Sequence, residues 1–407
     1  MVRRLAIAVY LMGFVFVVGN LACSDDGRPS GEDRPPGAAY SVRESADYLS
    51  VSIDHATLPW TYAYHTFEQD GRLYLVWVNS QSNSLNIYDL QTSEKVETLI
   101  FPEEGPNGVK QLNAVYMPNR DSLYVRDYRN AQLYLFSVPD LQRIGTFDFF
   151  SGPTDNYIYD FPTCKLERIG DRIYACAKNQ ANTYADQAVR YARSPVGRWV
   201  DLASGASGAT PLARYPVAYE AAYVPGEMWS YSRTVGPDGN LIYSFAIDDQ
   251  LYVENLRDGS VAAYGAKGRH IPAQLPENSA RDDIADIRYK VETPVYESII
   301  YDKYRRLYYR IYRRGGEVED VNNIKGAMRD YRQRPVSMLV LNEHFQVVAD
   351  VDLDGATYYS PNFLVLPAGF YLSVNNSAGA DQVEDELRFR RIVVEPVQVR
   401  GYEAASG

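Results

Sequence analysis

Five side chains at the openings of repeated strand segments have the residue types that could do chemistry: Asn113, Asp160, Arg233, Glu297 and Asn362. Asp160 and Glu297 supply carboxylates, and Asn113 and Asn362 supply amide oxygens. Hard oxygen donors of this kind suit a divalent cation, which would polarise a bound carbonyl or activate water. On a structural reading the same residues line a polar, water-filled channel. A second grouping repeats along the chain. Tyr124-Val125-Arg126-Asp127-Tyr128-Arg129 and Tyr308-Tyr309-Arg310-Ile311-Tyr312-Arg313 share the pattern Tyr-x-Arg-x-Tyr-Arg. Strand alternation puts Tyr124, Arg126 and Tyr128 on one side, and likewise Tyr308, Arg310 and Tyr312. Either these arginines face a carboxylate or sugar ligand, or each is buried between repeats, paired with a carboxylate and stacked on tyrosine.

Other catalytic patterns do not assemble. His55, His65, His270 and His344 fit no carboxylate–His–nucleophile arrangement, and Gly-x-Ser-x-Gly is missing. Arg314-Gly315-Gly316-Glu317 lacks the lysine and the following helix of a phosphate loop. Asp350-Val351-Asp352-Leu353-Asp354-Gly355 opens like a calcium loop, but its twelfth position is Pro361 where Glu is required. Cys164 and Cys176 flank a hairpin centred on Gly170. A three-residue turn, Ile169 to Asp171, would set them opposite each other, as a disulfide or as two buried thiols.

The elements that must position these residues announce themselves by repetition. Six times a short turn leads into an aromatic-rich apolar strand, marked by Tyr74, Tyr124, Tyr174, Tyr243, Tyr308 and Tyr371. The first three are fifty residues apart and later intervals are longer, a spacing that suits propeller blades with insertions. Thirty-five tyrosines against 14 phenylalanines favour many half-buried strands over helices. The predicted fold is therefore all-β, a six-bladed β-propeller of four-stranded antiparallel blades, strands A to D, occupying residues 40–407 as one domain. The sixth blade lacks a fourth strand downstream. Tyr48 to Asp54 is the candidate to complete it and close the ring.

Loop lengths point to one face. The A-to-B and C-to-D turns are short throughout, whereas the long insertions, Asn179 to Trp199, Pro216 to Ser230, Lys267 to Thr293 and Arg314 to Pro335, are B-to-C or D-to-A connections. In a propeller those two kinds emerge on the same side, and binding loops belong on a rigid scaffold. Within Lys267 to Thr293, Gly268-Arg269-His270 begins a segment that is either a lid or a loop packed across the rim.

The N-terminus supplies an address. Arg3 and Arg4 precede an apolar run from Leu5 to Val18, the layout of an export signal over residues 1–22. That run spans only ~21 Å as a helix, short of a ~30 Å hydrocarbon core. Leu21-Ala22-Cys23 resembles a bacterial lipobox, which implies lipidation of Cys23. Ser24-Asp25-Asp26 resembles the acidic tag that sends some lipoproteins to the outer face of the outer membrane. Residues 23–39 are too polar to fold and read as a tether. Net charge is −11, and becomes −13 without Arg3 and Arg4, which disfavours nucleic acid and leaves the lipid as the only membrane contact.

With the lipobox-like start, the stretch Tyr296-Glu297-Ser298-Ile299-Ile300-Tyr301-Asp302-Lys303-Tyr304-Arg305-Arg306-Leu307-Tyr308-Tyr309-Arg310 resembles a family of uncharacterised bacterial lipoproteins with a TolB-like six-bladed β-propeller. The resemblance implies a fold and an address but no activity, cofactor or catalytic residue. The expectation is a monomeric outer-membrane lipoprotein, facing the cell surface or the periplasm, that binds a protein, peptide or saccharide through its insertion-rich face. The alternative is a lactonase-like hydrolase or lyase holding one divalent cation in the channel.

Overall fold

The computed structural model describes residues 40–397 apart from 129–130, 153, 155, 180–194, 213, 220–225, 276–282, 319–322, 324–332, 378, 380–382 and 384. Six antiparallel sheets follow one another along the chain as the blades of a propeller. The first strand, β1 (Tyr40–Ser52), belongs to the last blade. Blade 1 is β2 (Tyr64–Gln69), β3 (Arg72–Asn79), β4 (Ser84–Asp89) and β5 (Glu94–Ile100). Blade 2 is β6 (Leu112–Asn119), β7 (Ser122–Asp127), β8 (Gln132–Ser137) and β9 (Gln142–Asp148). Blade 3 has five strands, β10 (Asn156–Ile158), β11 (Glu167–Ile169), β12 (Arg172–Asn179), β13 (Gly197–Asp201) and β14 (Ser207–Ala209). Blade 4 comprises β15 (Tyr231–Val235), β16 (Leu241–Phe245), β17 (Gln250–Glu254) and β18 (Val261–Gly265). A helix, α1 (Asp283–Glu292), precedes blade 5, which comprises β19 (Val295–Asp302), β20 (Leu307–Arg313), β21 (Val336–Leu341) and β22 (Val347–Leu353). Blade 6 is β23 (Tyr359–Leu366), β24 (Gly369–Ser373) and β25 (Glu386–Pro396), with β1 as its outermost strand.

The closing strand is longer than the sequence suggests. It starts at Tyr40 opposite Pro396, runs to Ser52 opposite Glu386, and carries a bulge between Glu44 and Tyr48. Val51 is fully buried with Tyr64 and Trp77 of blade 1 and Leu387 of blade 6. Burying a side chain of this size contributes about 1.5–3 kcal/mol. The strand therefore seals both the sheet edge and the seam between the last blade and the first.

Local chemistry explains the tight inner hairpins. In blade 1, Gln69 pairs with Arg72 across Asp70-Gly71, whose φ values of 52° and 71° both lie in the left-handed region. Two positive φ angles define the hairpin turn whose twist matches that of the flanking strands, and glycine adopts the second without strain.

The repeated tyrosines are all buried, but they do not all face the same way. Tyr74, Tyr124, Tyr174 and Tyr371 pack towards the following blade. Tyr243 and Tyr308 pack towards the preceding one. The four alike blades join A to B through two residues, whereas blades 4 and 5 use residues 236–240 and 303–306. Because side chains alternate along a strand, an altered turn length can move an apparently equivalent residue to the opposite face. Tyr309, not Tyr308, faces forward in blade 5, packing its ring 4.4 Å from Phe370 of blade 6.

Candidate functional site

The insertion-rich face holds a cavity of about 700 Å³. Its walls come from segments entering A strands and leaving B strands. Trp60 and Tyr62 lead into β2, Ser230 into β15, Glu297 begins β19, Lys178 and Arg313 end β12 and β20, and Asn375 follows β24. Trp60, Tyr62, Tyr159, Phe161, Tyr296 and Tyr359 make it strongly aromatic.

Blade 3 shapes this wall by breaking its own inner strand. Strands β10 and β11 both pair with β12, and residues 159–166 between them leave the regular ladder. Pro162 sits in that segment and has no N–H to donate to a strand partner. The chain turns there, with the Cys164 N–H donating to the Phe161 carbonyl at 2.8 Å. The detour presents Tyr159 and Phe161 to the cavity with parallel rings 6.1 Å apart. Tyr62 meets Phe161 from blade 1 at 6.3 Å, and Trp60 lies edge-on to Tyr62 at 5.2 Å.

The five residues singled out from sequence do not converge. Asp160 is buried against Arg126, which reaches across from blade 2, and accepts a 2.8 Å hydrogen bond from Asn113 Nδ2. Burial raises its carboxyl above the usual range despite those two partners. Glu297 lines the cavity, but Arg313 donates to it at 2.6 Å and Ser360 at 2.5 Å. Asn362 is fully buried and clamps blade 6 to the approach to blade 1, accepting from the Thr61 N–H and donating to the Thr61 carbonyl. Arg233 spans blades 4 and 3, donating from NH2 to the carbonyls of Lys165 and Tyr174. Among the described residues no three His, Cys, Asp or Glu side chains stand close enough to share a metal ion.

The paired arginines of the repeated motif are buried between blades. Arg310 lies 3.3 Å above the Tyr296 ring and donates to Ser244 and to the carbonyls of Asp248, Asp249 and Ala266 in blade 4. Arg126 faces the following blade and Arg310 the preceding one, matching the tyrosines two residues before them. The acidic strand also has a structural partner. Asp350 accepts from the Arg269 N–H, and Asp352 binds Arg269 and His270 at 2.8 and 2.9 Å, fastening the start of that insertion to blade 5.

Cys164 and Cys176 are free, buried thiols, and the expected register needs correction. Ile169 pairs with Arg172, so the turn is Gly170-Asp171 and the cysteines are not directly opposite. Cys164 leaves the ladder with the strand break and its thiol donates to the Tyr231 carbonyl at 3.0 Å. Burial pushes this thiol well up, and its hydrogen bond with Cys176 adds to the shift.

Two lysines escaped the sequence reading. Lys165 is placed 3.6 Å from the Tyr64 ring by the detour, and burial lowers its amine to about 7, with Glu167 opposing the shift. Lys178 ends the apolar run Ile173–Ala177 on β12 and lines the cavity, with Nζ 3.4 Å from the Tyr159 ring centre. Its signal was visible only as a cation at the end of a buried strand. Nearby, burial and then Lys165 hold the His65 imidazole down at about 3, so it is neutral at physiological pH.

Comparison with known proteins supports the fold. A crystal structure of a DUF4221 family member from Bacteroides vulgatus superposes with a TM-score of 0.75 at 20% identity, covering 88% of this chain and 99% of that one. A putative exported protein from Bacteroides fragilis gives 0.50 at 8% identity, covering 88% and 96%. No curated protein matches the chain. The family model described as "Domain of unknown function (DUF4221)" matches residues 39–349, more than half of the sequence, and the chain belongs to that family.

Proposed function

We propose that this chain is a binding module that takes a saccharide into the aromatic cavity on its insertion-rich face. The observation that carries the reading is the wall of Trp60, Tyr62, Tyr159 and Phe161 around a cavity large enough for a small ring system. Flat aromatic faces bury the apolar faces of sugar rings, and a largely preformed concavity reduces the ordering cost of binding. The buried pairs at Asp160 and Glu297 favour scaffold roles for those acids over roles as free metal ligands. The module acts as a monomer, anchored in the outer membrane and facing the cell surface through lipidated Cys23, which lies outside the described residues.

Two experiments test this reading. The purified soluble chain is applied to an array of bacterial and host glycans, with Trp60→Ala alongside. Binding that Trp60→Ala abolishes supports the proposal, whereas no binding, or binding indifferent to the substitution, rejects it. For the address, Cys23→Ser moves the protein from the membrane to the soluble fraction, and unchanged fractionation rejects lipidation.

A further inference from the structure

Lys178 is the charged side chain the fold explains least. It is 8% exposed, yet it lines the cavity. Its neighbours are the faces of Tyr159 at 3.4 Å and Tyr231 at 5.8 Å. No carboxylate among the described residues lies within ion-pair distance of it. Two other lysines have acid partners: Lys95 is 2.6 Å from Asp54 and Lys267 is 3.4 Å from Asp249. A buried ammonium with no counter-charge is costly, and methionine would line the same wall without that cost.

We propose that Lys178 is a carbonyl-reactive anchor that condenses with an aldehyde or ketone carbon of the ligand, a class that includes the open-chain reducing end of a saccharide. The proposal rests on the binding reading above for its ligand, and on the cavity wall for its chemistry. The Nζ lone pair attacks the carbonyl carbon to give a carbinolamine. Both amine protons then leave with the carbonyl oxygen as water, and a carbon–nitrogen double bond remains. No oxidant or reductant is consumed. A desolvated lysine in an apolar pocket is suited to this step because its lone pair is available near neutral pH.

The surroundings agree with that availability. Burial lowers the Lys178 amine to about 7, and the Cys164 and Cys176 thiols oppose the shift only in part. Tyr159 and Tyr231 are the other titratable groups against it. Glu297 lines the same cavity but is held by Arg313 and Ser360; Lys290 lines it too and adds no negative charge.

The test is reductive labelling of the whole protein with benzaldehyde and cyanoborohydride near neutral pH, followed by peptide mass mapping of its eight lysines. The expected result is labelling at Lys178 roughly tenfold or more faster than at the exposed lysines, because far more of its amine is unprotonated. Lys178→Arg removes that label and leaves the others. Where this variant fails to fold, the wild-type pH profile decides. Labelling at Lys178 levels off above about 7, while exposed lysines continue to gain towards about 10. Equal labelling of all lysines, preference for Lys165, or a Lys178 profile that follows the exposed lysines overturns the proposal. Labelling requires no natural ligand, so a selective Lys178 with a silent glycan array would reject the saccharide reading alone.

Discussion

Two buried arginines hold neighbouring seams of this propeller, and they are served very differently. At the blade 4–5 seam, Arg310 stacks on Tyr296 and each of its three guanidinium nitrogens donates to blade 4. At the blade 3–4 seam, Arg233 donates from Nη2, and its Nε and Nη1 have no hydrogen-bond partner among the described residues. Around it lie Glu167, Tyr243 and the buried Cys164 and Cys176 thiols, none of which completes its donor set. The difference teaches where polar capacity is kept in reserve. The satisfied seam is a fastening, whereas the seam beside the broken strand and the cavity retains donors and amines that no scaffold requirement consumes.

Breaking the fastening should have the largest effect. Arg310→Met strands Ser244 and several buried carbonyls, and is expected to cost on the order of 4 kcal/mol in urea unfolding. The matching change at the other seam sharpens the contrast. Arg233→Met removes a guanidinium with two carbonyl partners, so its cost should be nearer ~2 kcal/mol. Equal costs at the two seams would break the comparison.

The reserve seam should also respond to pH. The folded-state amine of Lys178 lies below its unfolded value of ~10.4, so between about 7 and 10 the unfolded chain binds more protons and stability rises with pH. That contribution is complete above the unfolded value and is lost as pH falls towards 7. Lys178→Met should remove most of this rise, read from urea midpoints at paired pH values. Lys165 shares the trend, so some slope should remain in the variant. The smallest effect belongs to the trimmed face. Arg306, paired with Glu343 and largely exposed, should leave the urea midpoint unchanged on substitution by alanine.

Much of the scaffold was legible in sequence because turns and alternation are local. The six inner hairpins, the trimmed turns and the need for an N-terminal closing strand all follow from short-range patterns. Orientation was less legible. Tyr243 and Tyr308 look equivalent to Tyr74 in a text alignment, but longer turns place them on the opposite faces of their blades. The candidate site was legible only as a face. Asp160 and Glu297 sit where acids could serve a channel metal, and nothing local reveals that Arg126 and Arg313 claim them. Lys178 was missed for the same reason. Its character depends on Tyr159, which reaches it because the chain departs from the ladder at residues 159–166.

The pairing of β1 with β25 sets an order of events during folding. The strand made first must wait for a partner some 340 residues later, since Tyr40 meets Pro396 and Ser52 meets Glu386. Until the last blade has formed, the ring has two open edges and Val51 has no seam to enter. A contact so distant in sequence makes closure a late and slow event, and leaves the unclosed ring open to edge-on association for longer than a propeller closed by a local hairpin. Premature termination before Glu386 would therefore remove the strand that β1 pairs with.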